Sequence, residues 1–192
     1  MKLIHKFKSL NFDKRKNKQI SYLILHYTAL PSIDESIKHL CTKKNKVSSH
    51  YLISQGGKIY ALVNEIHRAW HAGQSEWLSE NDLNSNSIGI ELDFSPRHKN
   101  NKFTKLQLSS LILLISFLKK KYMIDKKNIL GHSDIAPYRK IDPGISFPWR
   151  KLNNLNLAYS PKRQKVLELH KVKNWFIKIT QILSMIQIRN NA

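Results

Sequence analysis

The sequence is poor in acidic residues, and this shortage limits the partners that suit it. It has 13 Asp and Glu residues against 33 Lys and Arg residues, which gives a formal net charge of +20 at pH 7. Such an excess favours an anionic partner: nucleic acid, an acidic membrane surface or an anionic cell-wall polymer. Because the lysines are spread along the whole chain, the charge indicates a compositional bias more than a single binding patch.

Cysteine, long apolar runs and targeting signals are also scarce. The single cysteine, Cys41, excludes an internal disulfide framework and is expected to be a small core residue. The longest uncharged apolar run, residues 106–118, is too short to span a bilayer, so no transmembrane segment is expected. The first 18 residues show neither an apolar signal core nor a cleavage site. We therefore expect a cytoplasmic protein, with periplasmic or secreted location by an unrecognised route as the alternative.

The length of the chain predicts one domain with an extension. Its 192 residues and 41% hydrophobic content are enough for a real core. We predict a loosely held, basic N-terminal arm over residues 1–18, a domain over residues 19–152, and a helical extension over residues 153–192. Apolar residues recur at helical spacing within the extension, which makes it a possible interface. The sequence leaves the oligomeric state open.

Strand and helix patterns alternate within the predicted domain. Strands are expected at residues 19–26, 50–54, 58–63, 87–93 and 127–130, and helices from Ser32 to about residue 43 and over residues 104–123. Gln55-Gly56-Gly57 indicates a tight hairpin between the second and third strands. The order β-α-β-β-β-α-β predicts an α/β fold, in which a central mixed β-sheet is flanked by helices in a single domain.

The polar loop of residues 131–149 is the most informative stretch. Three prolines and two glycines exclude a regular helix or a central strand, so the loop is expected to hold side chains in fixed positions. His132 lies at the end of a predicted strand, and Asp142 lies ten residues later. These two residues are predicted to be ligands of one divalent metal ion, with Lys140 beside them as a fixed positive charge.

Side chains at the ends of three predicted strands complete this constellation. His26, Glu91 and His132 end their strands, and such residues converge on one crevice of an α/β sheet. Two imidazoles and the Asp142 carboxylate suit Zn²⁺ and leave a fourth position for water. Glu91 then suits a general base and Lys140 a cation that faces an oxyanion. Each residue alone also fits an ordinary structural role, and it is their joint placement that favours a catalytic site.

Gly89 shares the face of its strand with Glu91. The missing side chain is expected to leave room there for the backbone of a substrate. Of the remaining histidines, His50 is expected to form hydrogen bonds inside the sheet.

With these residues and motifs, the chain resembles a known family, the zinc-dependent N-acetylmuramoyl-L-alanine amidases of the AmpD type. The fold of this family is shared with peptidoglycan recognition proteins. The similarity covers residues 19–152 and depends on segments 25–28, 47–53, 68–73, 86–92 and 131–149. The resemblance implies one Zn²⁺ per chain, bound by His26, His132 and Asp142. It also implies that Glu91 and Lys140 are the catalytic groups.

The resemblance further implies the reaction and the partner. The family hydrolyses the amide between the lactyl group of N-acetylmuramic acid, or of its 1,6-anhydro form, and L-alanine of the stem peptide, so the expected partner is peptidoglycan or an anhydro-muropeptide. Lys46 stands where relatives carry a substrate-gripping arginine, and it keeps the charge but loses the bidentate geometry. The implied substrate-binding residues are Tyr27, Lys46, Trp70, His71, Asn86 and Arg139.

Two alternatives belong to other functional classes. One is a peptidoglycan-binding module without catalysis, although such relatives tend to lose a zinc ligand and all three are present here. The other is a nucleic-acid-binding protein, but the sequence has neither a stacking-aromatic motif nor zinc-knuckle spacing. No nucleic-acid partner is therefore expected.

Overall fold

The computed structural model describes residues 1–16, 19–97 and 102–158. The predicted helical extension beyond residue 158 lies outside the described residues. In chain order the elements are β1 (Leu3–Ile4), β2 (Phe12–Lys14), β3 (Tyr22–Tyr27), α1 (Ile33–Cys41), β4 (Tyr51–Ile53), β5 (Ile59–Ala61), β6 (His67–Ala69), α2 (Leu83–Asn86), β7 (Ser87–Leu92), α3 (Lys105–Tyr122), β8 (Ile129–Gly131), α4 (His132–Ile135) and α5 (Trp149–Asn154).

The centre of the fold is a six-stranded mixed sheet in the order β1-β5-β4-β7-β3-β8. Strand β3 is parallel to both of its neighbours, β7 and β8. Strand β4 is parallel to β7 but antiparallel to β5, with which it forms the predicted hairpin. A separate two-stranded sheet pairs β2 with β6. The predicted α/β fold with a central mixed sheet is therefore confirmed.

Helix α3 covers one face of this sheet. Thr104 caps the helix by accepting a hydrogen bond from the Gln107 backbone N–H at 3.1 Å, and Met123 ends it in the left-handed conformation. Alternate residues of the central strands, such as Leu23 and Leu25 of β3, pack in the same core cluster as buried α3 residues such as Leu114. Burial of each such side chain contributes about 1.5–3 kcal/mol. This face is the main hydrophobic core.

Helix α1 packs near the opposite face. Ser32 caps it by accepting a hydrogen bond from the Glu35 backbone N–H at 3.2 Å. Ile37 and Leu40 of α1 form a smaller cluster with Leu52 of β4. A second apolar cluster on this face joins Tyr22 and Ile24 of β3 to Leu130 of β8, and buried polar side chains lie beside the two clusters.

The expectation of a loosely held N-terminal arm is wrong for residues 1–16. Strand β1 adds to the edge of the central sheet, and β2 pairs with β6. Arg15 is buried and donates hydrogen bonds to the backbone carbonyls of Glu65, Asn84, Ser85 and Ser87. Backbone pairing and hydrogen bonds to carbonyl groups do not require regularly spaced apolar side chains. The lysine-rich sequence of this segment therefore gave no sign of them.

The loop of residues 131–149 contains more helix than its composition predicted. A single helical turn, α4, fits between Gly131 and the first proline, and α5 begins after the last one. The prolines therefore bound these helices rather than interrupt them.

Among the described residues, no helix has the length and apolar character needed to cross a membrane.

Candidate active site

The ends of three neighbouring strands bring the candidate side chains together. His26 of β3 and Glu91 of β7 are Cα partners in the parallel register. On the other side of β3, Leu25 pairs with Gly131 at the end of β8, and His132 follows directly as the first residue of α4. The sheet topology therefore places His132, His26 and Glu91 in one row.

Asp142 reaches this row from the loop that follows α4. Its backbone carbonyl accepts a hydrogen bond from the Ser133 N–H at 2.9 Å. The adjacent Pro143, joined to Asp142 by a cis peptide bond, packs against Gly131 so closely that a Cβ on this glycine would lie 2.6 Å from Pro143 Cδ. The absence of a side chain at Gly131 thus lets the loop dock on the end of β8 and carry Asp142 to His132.

Three buried side chains, His26, His132 and Asp142, form a group that could hold a metal ion. The two Nδ1 atoms are 3.0 Å apart, and Asp142 Oδ2 is 3.0 Å from His26 Nδ1 and 3.1 Å from His132 Nδ1. Ligand atoms of a tetrahedral Zn²⁺ are separated by roughly 3.3 Å when each lies about 2 Å from the ion. The spacing and the donor set therefore fit a divalent metal.

The environment of His132 fixes which of its nitrogens faces this group. Its Nε2 lies 3.0 Å from the backbone carbonyl oxygen of Ala72. A carbonyl oxygen only accepts, so Nε2 of the neutral ring carries the proton and Nδ1 presents a lone pair to Asp142 and His26.

Burial and mutual contact set the charges in this group. Burial, and next the neighbouring His132, lower the pKa of His26 to about 4, so its imidazole is neutral at pH 7. Burial alone would raise the pKa of Asp142, but its contacts with His132 and His26 outweigh that effect and hold the pKa below its ordinary value. Asp142 is therefore a carboxylate beside the neutral imidazole of His26, and a metal ion requires this protonation state of both groups.

These side chains line a cavity of about 300 Å³, together with Glu91 and Lys140. Glu91 is 9% exposed, and its Oε2 is buried without a hydrogen-bond partner among the described residues. Burial, and next the negative charge of Asp142, raise the pKa of Glu91 to about 8, while Lys140 opposes the shift. A buried carboxyl group of this kind beside a cleft is a candidate proton acceptor.

The structure divides the predicted substrate-binding residues into two sets. Tyr27, His71 and Arg139 line the cavity. Among the described residues, the lining does not include Lys46, Trp70 or Asn86, and the Asn86 side-chain amide donates to Glu80 Oε2 at 2.9 Å. The predicted roles of all six in binding substrate stay predictions.

Arg139, at the rim of the cavity, forms hydrogen bonds with the backbone of a neighbouring loop. Its guanidinium donates hydrogen bonds to the backbone carbonyls of Ala72, at 2.7 Å, and Gln74. Arg139 thereby joins the loop after α4 to the loop after β6.

The expectation that Gly89 leaves room for substrate is wrong. A Cβ at this position would lie 2.4 Å from Cγ of His71, so the imidazole of His71 occupies the space. The predicted internal role of His50 agrees with the structure, because its Nδ1 accepts a hydrogen bond from the Gly89 N–H at 3.0 Å. Both histidines are buried against the same face of the sheet, next to Gly89.

Asn84 and Ser87 also shape the site, although the sequence did not single them out. Asn84 Oδ1 accepts hydrogen bonds from the backbone N–H groups of His71, at 3.0 Å, and Ala72, at 2.7 Å. Ser87 Oγ lies 3.2 Å from Nε2 of His71. The alternation of Ser87, Gly89 and Glu91 on one strand face could have identified Ser87, whereas Asn84 lies in an Asn- and Ser-rich stretch with no distinguishing signal.

Comparison with known proteins gives consistent matches. The sequence model of the N-acetylmuramoyl-L-alanine amidase family matches residues 16–145. The chain is 38% identical over 172 residues to the N-acetylmuramoyl-L-alanine amidase AmiD of Escherichia coli (strain K12), a match that covers 80% of this chain and 61% of AmiD. It is 39% identical over 162 residues to the 1,6-anhydro-N-acetylmuramyl-L-alanine amidase AmpD of Haemophilus influenzae, covering 74% of this chain and 86% of that protein.

A solved structure shows the same architecture. The complex of AmiD from E. coli with the substrate anhydro-N-acetylmuramic acid-L-Ala-D-gamma-Glu-L-Lys superimposes with a TM-score of 0.70 at 36% sequence identity. The match covers 80% of this chain and 65% of that chain. The extent of the family match and the identity to AmpD decide the assignment. This chain belongs to the N-acetylmuramoyl-L-alanine amidase family.

Proposed function

We propose that the chain is a zinc-dependent amidase that hydrolyses the bond between N-acetylmuramic acid, or its 1,6-anhydro form, and L-alanine of the stem peptide. The observation that carries the proposal is the convergence of His26 Nδ1, His132 Nδ1 and Asp142 Oδ2 within 3.0–3.1 Å of one another. This convergence lies in a cavity that also holds Glu91 and Lys140.

Zinc is the metal that this donor set favours. Two neutral imidazoles and one carboxylate are a common catalytic zinc set, with a position left for solvent or substrate. When bound, Zn²⁺ supplies a Lewis acid that polarises a carbonyl and activates water near neutral pH. His132 and His26 contribute no charge of their own, so the Asp142 carboxylate supplies the one negative charge among the three ligands.

Glu91 is the proposed general base. It accepts a proton from the attacking water and passes it to the nitrogen of L-alanine as the C–N bond breaks. The products are the lactyl carboxylate and a peptide with a free α-amine. Its position beside His26 in the sheet register and its burial at the wall of the cavity suit a group that takes up a proton and releases it within one turnover.

Lys140 is the proposed stabiliser of the oxyanion. It lines the cavity two residues before Asp142, and its charge acts on both Glu91 and His26. A fixed ammonium group in a low-dielectric site stabilises negative charge that develops on the carbonyl oxygen. An ammonium group at this place also favours binding of the carboxylates of a stem peptide.

The relatives support the choice of substrate. The chain spans 61% of the length of AmiD and 86% of the length of the H. influenzae AmpD. The name of AmpD specifies the 1,6-anhydro form of the muramyl substrate, and the AmiD structure contains an anhydro-muropeptide. We therefore propose a soluble anhydro-muropeptide as the first substrate to be tested, with the intact sacculus as the comparison.

The test is metal-dependent release of stem peptide. Metal-free protein, prepared with a chelator, is incubated with anhydro-muropeptide or with purified sacculus, before and after addition of one equivalent of Zn²⁺. Mass spectrometry then follows the free peptide. We expect release only after zinc is restored, and more from the anhydro-muropeptide. Undiminished hydrolysis by the metal-free protein would contradict the zinc mechanism, and binding of substrate by the zinc-loaded protein without any release would indicate a non-catalytic binding module.

A further inference from the structure

His71 contacts a proposed metal ligand but belongs to neither the ligand set nor the catalytic pair. It is 6% exposed, and its ring fills the space above Gly89. Its Nδ1 lies 3.1 Å from Nε2 of His26, and its Nε2 lies 3.2 Å from Ser87 Oγ. Both ring nitrogens are therefore engaged by protein groups, although the ring lies at the wall of the cavity.

The direction of these hydrogen bonds follows from a carbonyl at one end. Ser87 Oγ donates its one proton to the backbone carbonyl oxygen of Leu83, which can only accept. Ser87 Oγ can then only accept from His71, so Nε2 of the neutral His71 ring carries the proton and Nδ1 carries a lone pair. Because this lone pair faces His26, Nε2 of His26 must be the donor.

This direction determines how His26 presents itself to the metal position. With the proton on Nε2, Nδ1 of His26 carries the lone pair, and this atom is the one that lies 3.0 Å from Asp142 Oδ2 and from His132 Nδ1. The Ala72 carbonyl fixes His132 in the same tautomer from the other side. Three acceptors thus face one another without a proton between them, which is the arrangement that a cation stabilises.

We propose that His71, locked by Ser87 and the Leu83 carbonyl, is a positioning residue that sets the tautomer and orientation of His26 for metal binding. The proposal rests on the zinc function proposed above. It assigns His71 to the support of the metal centre, a different role from the substrate contact that the family resemblance implied.

A matched pair of variants isolates the acceptor on His71. His71→Leu and His71→Asn introduce side chains of nearly equal size, but only asparagine places a hydrogen-bond acceptor where Nδ1 stood. We expect His71→Leu to raise the zinc dissociation constant by about 10–100-fold, the usual cost of losing a partner of a metal-ligating histidine. His71→Asn should restore most of the affinity. Competition with a chromophoric chelator measures both constants without any activity assay.

His50 supplies the control for a general packing defect. It is fully buried on the same face of the sheet and packs edge-on against His71, with ring centroids 5.7 Å apart. Its Nδ1 accepts from the Gly89 N–H, and its Nε2 lies beside Arg15 and the His67 carbonyl oxygen, so neither nitrogen contacts a proposed ligand. His50→Asn should lower the melting temperature while the zinc affinity of the folded protein stays at the wild-type value.

The tautomers themselves can be read in the wild-type protein, which removes any dependence on folding of the variants. Long-range ¹H–¹⁵N correlation spectra of metal-free and zinc-loaded protein should show His71 and His26 both protonated at Nε2. A proton on Nδ1 of His71 would overturn the proposal, as would equal zinc affinity for wild type and the folded His71→Leu variant. Absence of zinc binding by the wild type would instead overturn the proposed function, and the metal-free spectrum would still decide the direction of the hydrogen bonds.

Discussion

The two faces of the central sheet differ in what the same strands bury. Toward α3, strands β3 and β7 present aliphatic side chains such as Leu25 and Ile90, which form one continuous core. Toward the cavity, the same strands present His26, Ser87 and Glu91, which are also buried. Buried polar groups cost stability unless they are paired, and Glu91 Oε2 has no partner among the described residues. The first face therefore forms the main hydrophobic core, and the second carries the candidate active site.

We expect substitution of Glu91 to have the largest effect of the variants considered, and to reduce activity without reducing stability. Glu91→Gln removes the proposed base but keeps the size of the side chain, so we expect the rate of peptide release to drop by about 10²–10⁴-fold. Zinc content should remain at one ion per chain. Thermal unfolding should occur at the same temperature or higher, because a buried and unpaired carboxyl group is replaced by a neutral amide. Undiminished peptide release would exclude the role of Glu91.

A core substitution on the α3 face should show the opposite pattern. Leu114 is fully buried in this core, so Leu114→Ala is expected to lower the free energy of unfolding by about 2–5 kcal/mol. Zinc affinity of the folded protein should not change. Urea unfolding and chelator competition provide the two measurements. If stability and zinc affinity decreased together, the functional separation of the two faces would be wrong.

Substitution of Gly131 tests the docking of the loop that carries Asp142. In Gly131→Ala the new Cβ would lie 2.6 Å from Pro143 Cδ, so the loop has to move and Asp142 moves with it. We expect zinc affinity to weaken by about 10–100-fold, as for loss of other groups that orient a metal ligand. Gly56→Ala is the matched control, because its Cβ would meet only Ser54 Oγ at 3.9 Å, an ordinary contact. Equal zinc affinity in the two variants would contradict this role of Gly131.

At the polar edge of the α3 face, the contribution of Glu65 to stability can be tested through its dependence on pH. Glu65 accepts hydrogen bonds from Lys121, at 2.7 Å, and from the hydroxyl groups of Tyr51 and Tyr122. Burial alone would raise the pKa of Glu65, but the hydrogen bonds from Lys121, Tyr122 and Tyr51 outweigh it and lower the pKa below 4.5. At pH 7 we expect Glu65→Gln to destabilise the protein by about 1–3 kcal/mol.

The sign of this dependence follows from linkage. Since the folded-state pKa of Glu65 lies below the unfolded-state value, its stabilisation is complete above pH 4.5, declines below that pH, and is lost as pH falls through the folded-state pKa. The difference in unfolding free energy between wild type and Glu65→Gln should therefore shrink on acidification. Glu76→Gln, at an exposed carboxylate, is the control for the loss of one negative charge. A difference that grew toward low pH would refute the assigned contacts.

The sequence predicted the parts of the fold that have strong local patterns. Strands β3 and β7 and helix α3 have long apolar patterns with clear ends, and the ends of the two strands identified His26 and Glu91. Strands β1, β2 and β6 were missed because they are short and have charged residues within them or beside them, whereas the similarly short β4 and β5 flank a Gly-Gly turn.

Contacts between distant segments explain the remaining errors. Arg15 is one of 33 basic residues, and only the tertiary structure surrounds it with carbonyl groups. The space above Gly89 could not be assigned to His71 from the sequence, because these residues meet only when the loop after β6 folds across β7. The position of Asn84 beneath that loop has the same origin.

Anomalous X-ray diffraction at the zinc absorption edge tests the central claim most directly. Crystals of the zinc-loaded protein should show one strong peak per chain, within about 2.0–2.2 Å of His26 Nδ1, His132 Nδ1 and Asp142 Oδ2. A peak that is absent from this position, or that lies on other side chains, would contradict the account of the metal centre and of the chemistry built around it.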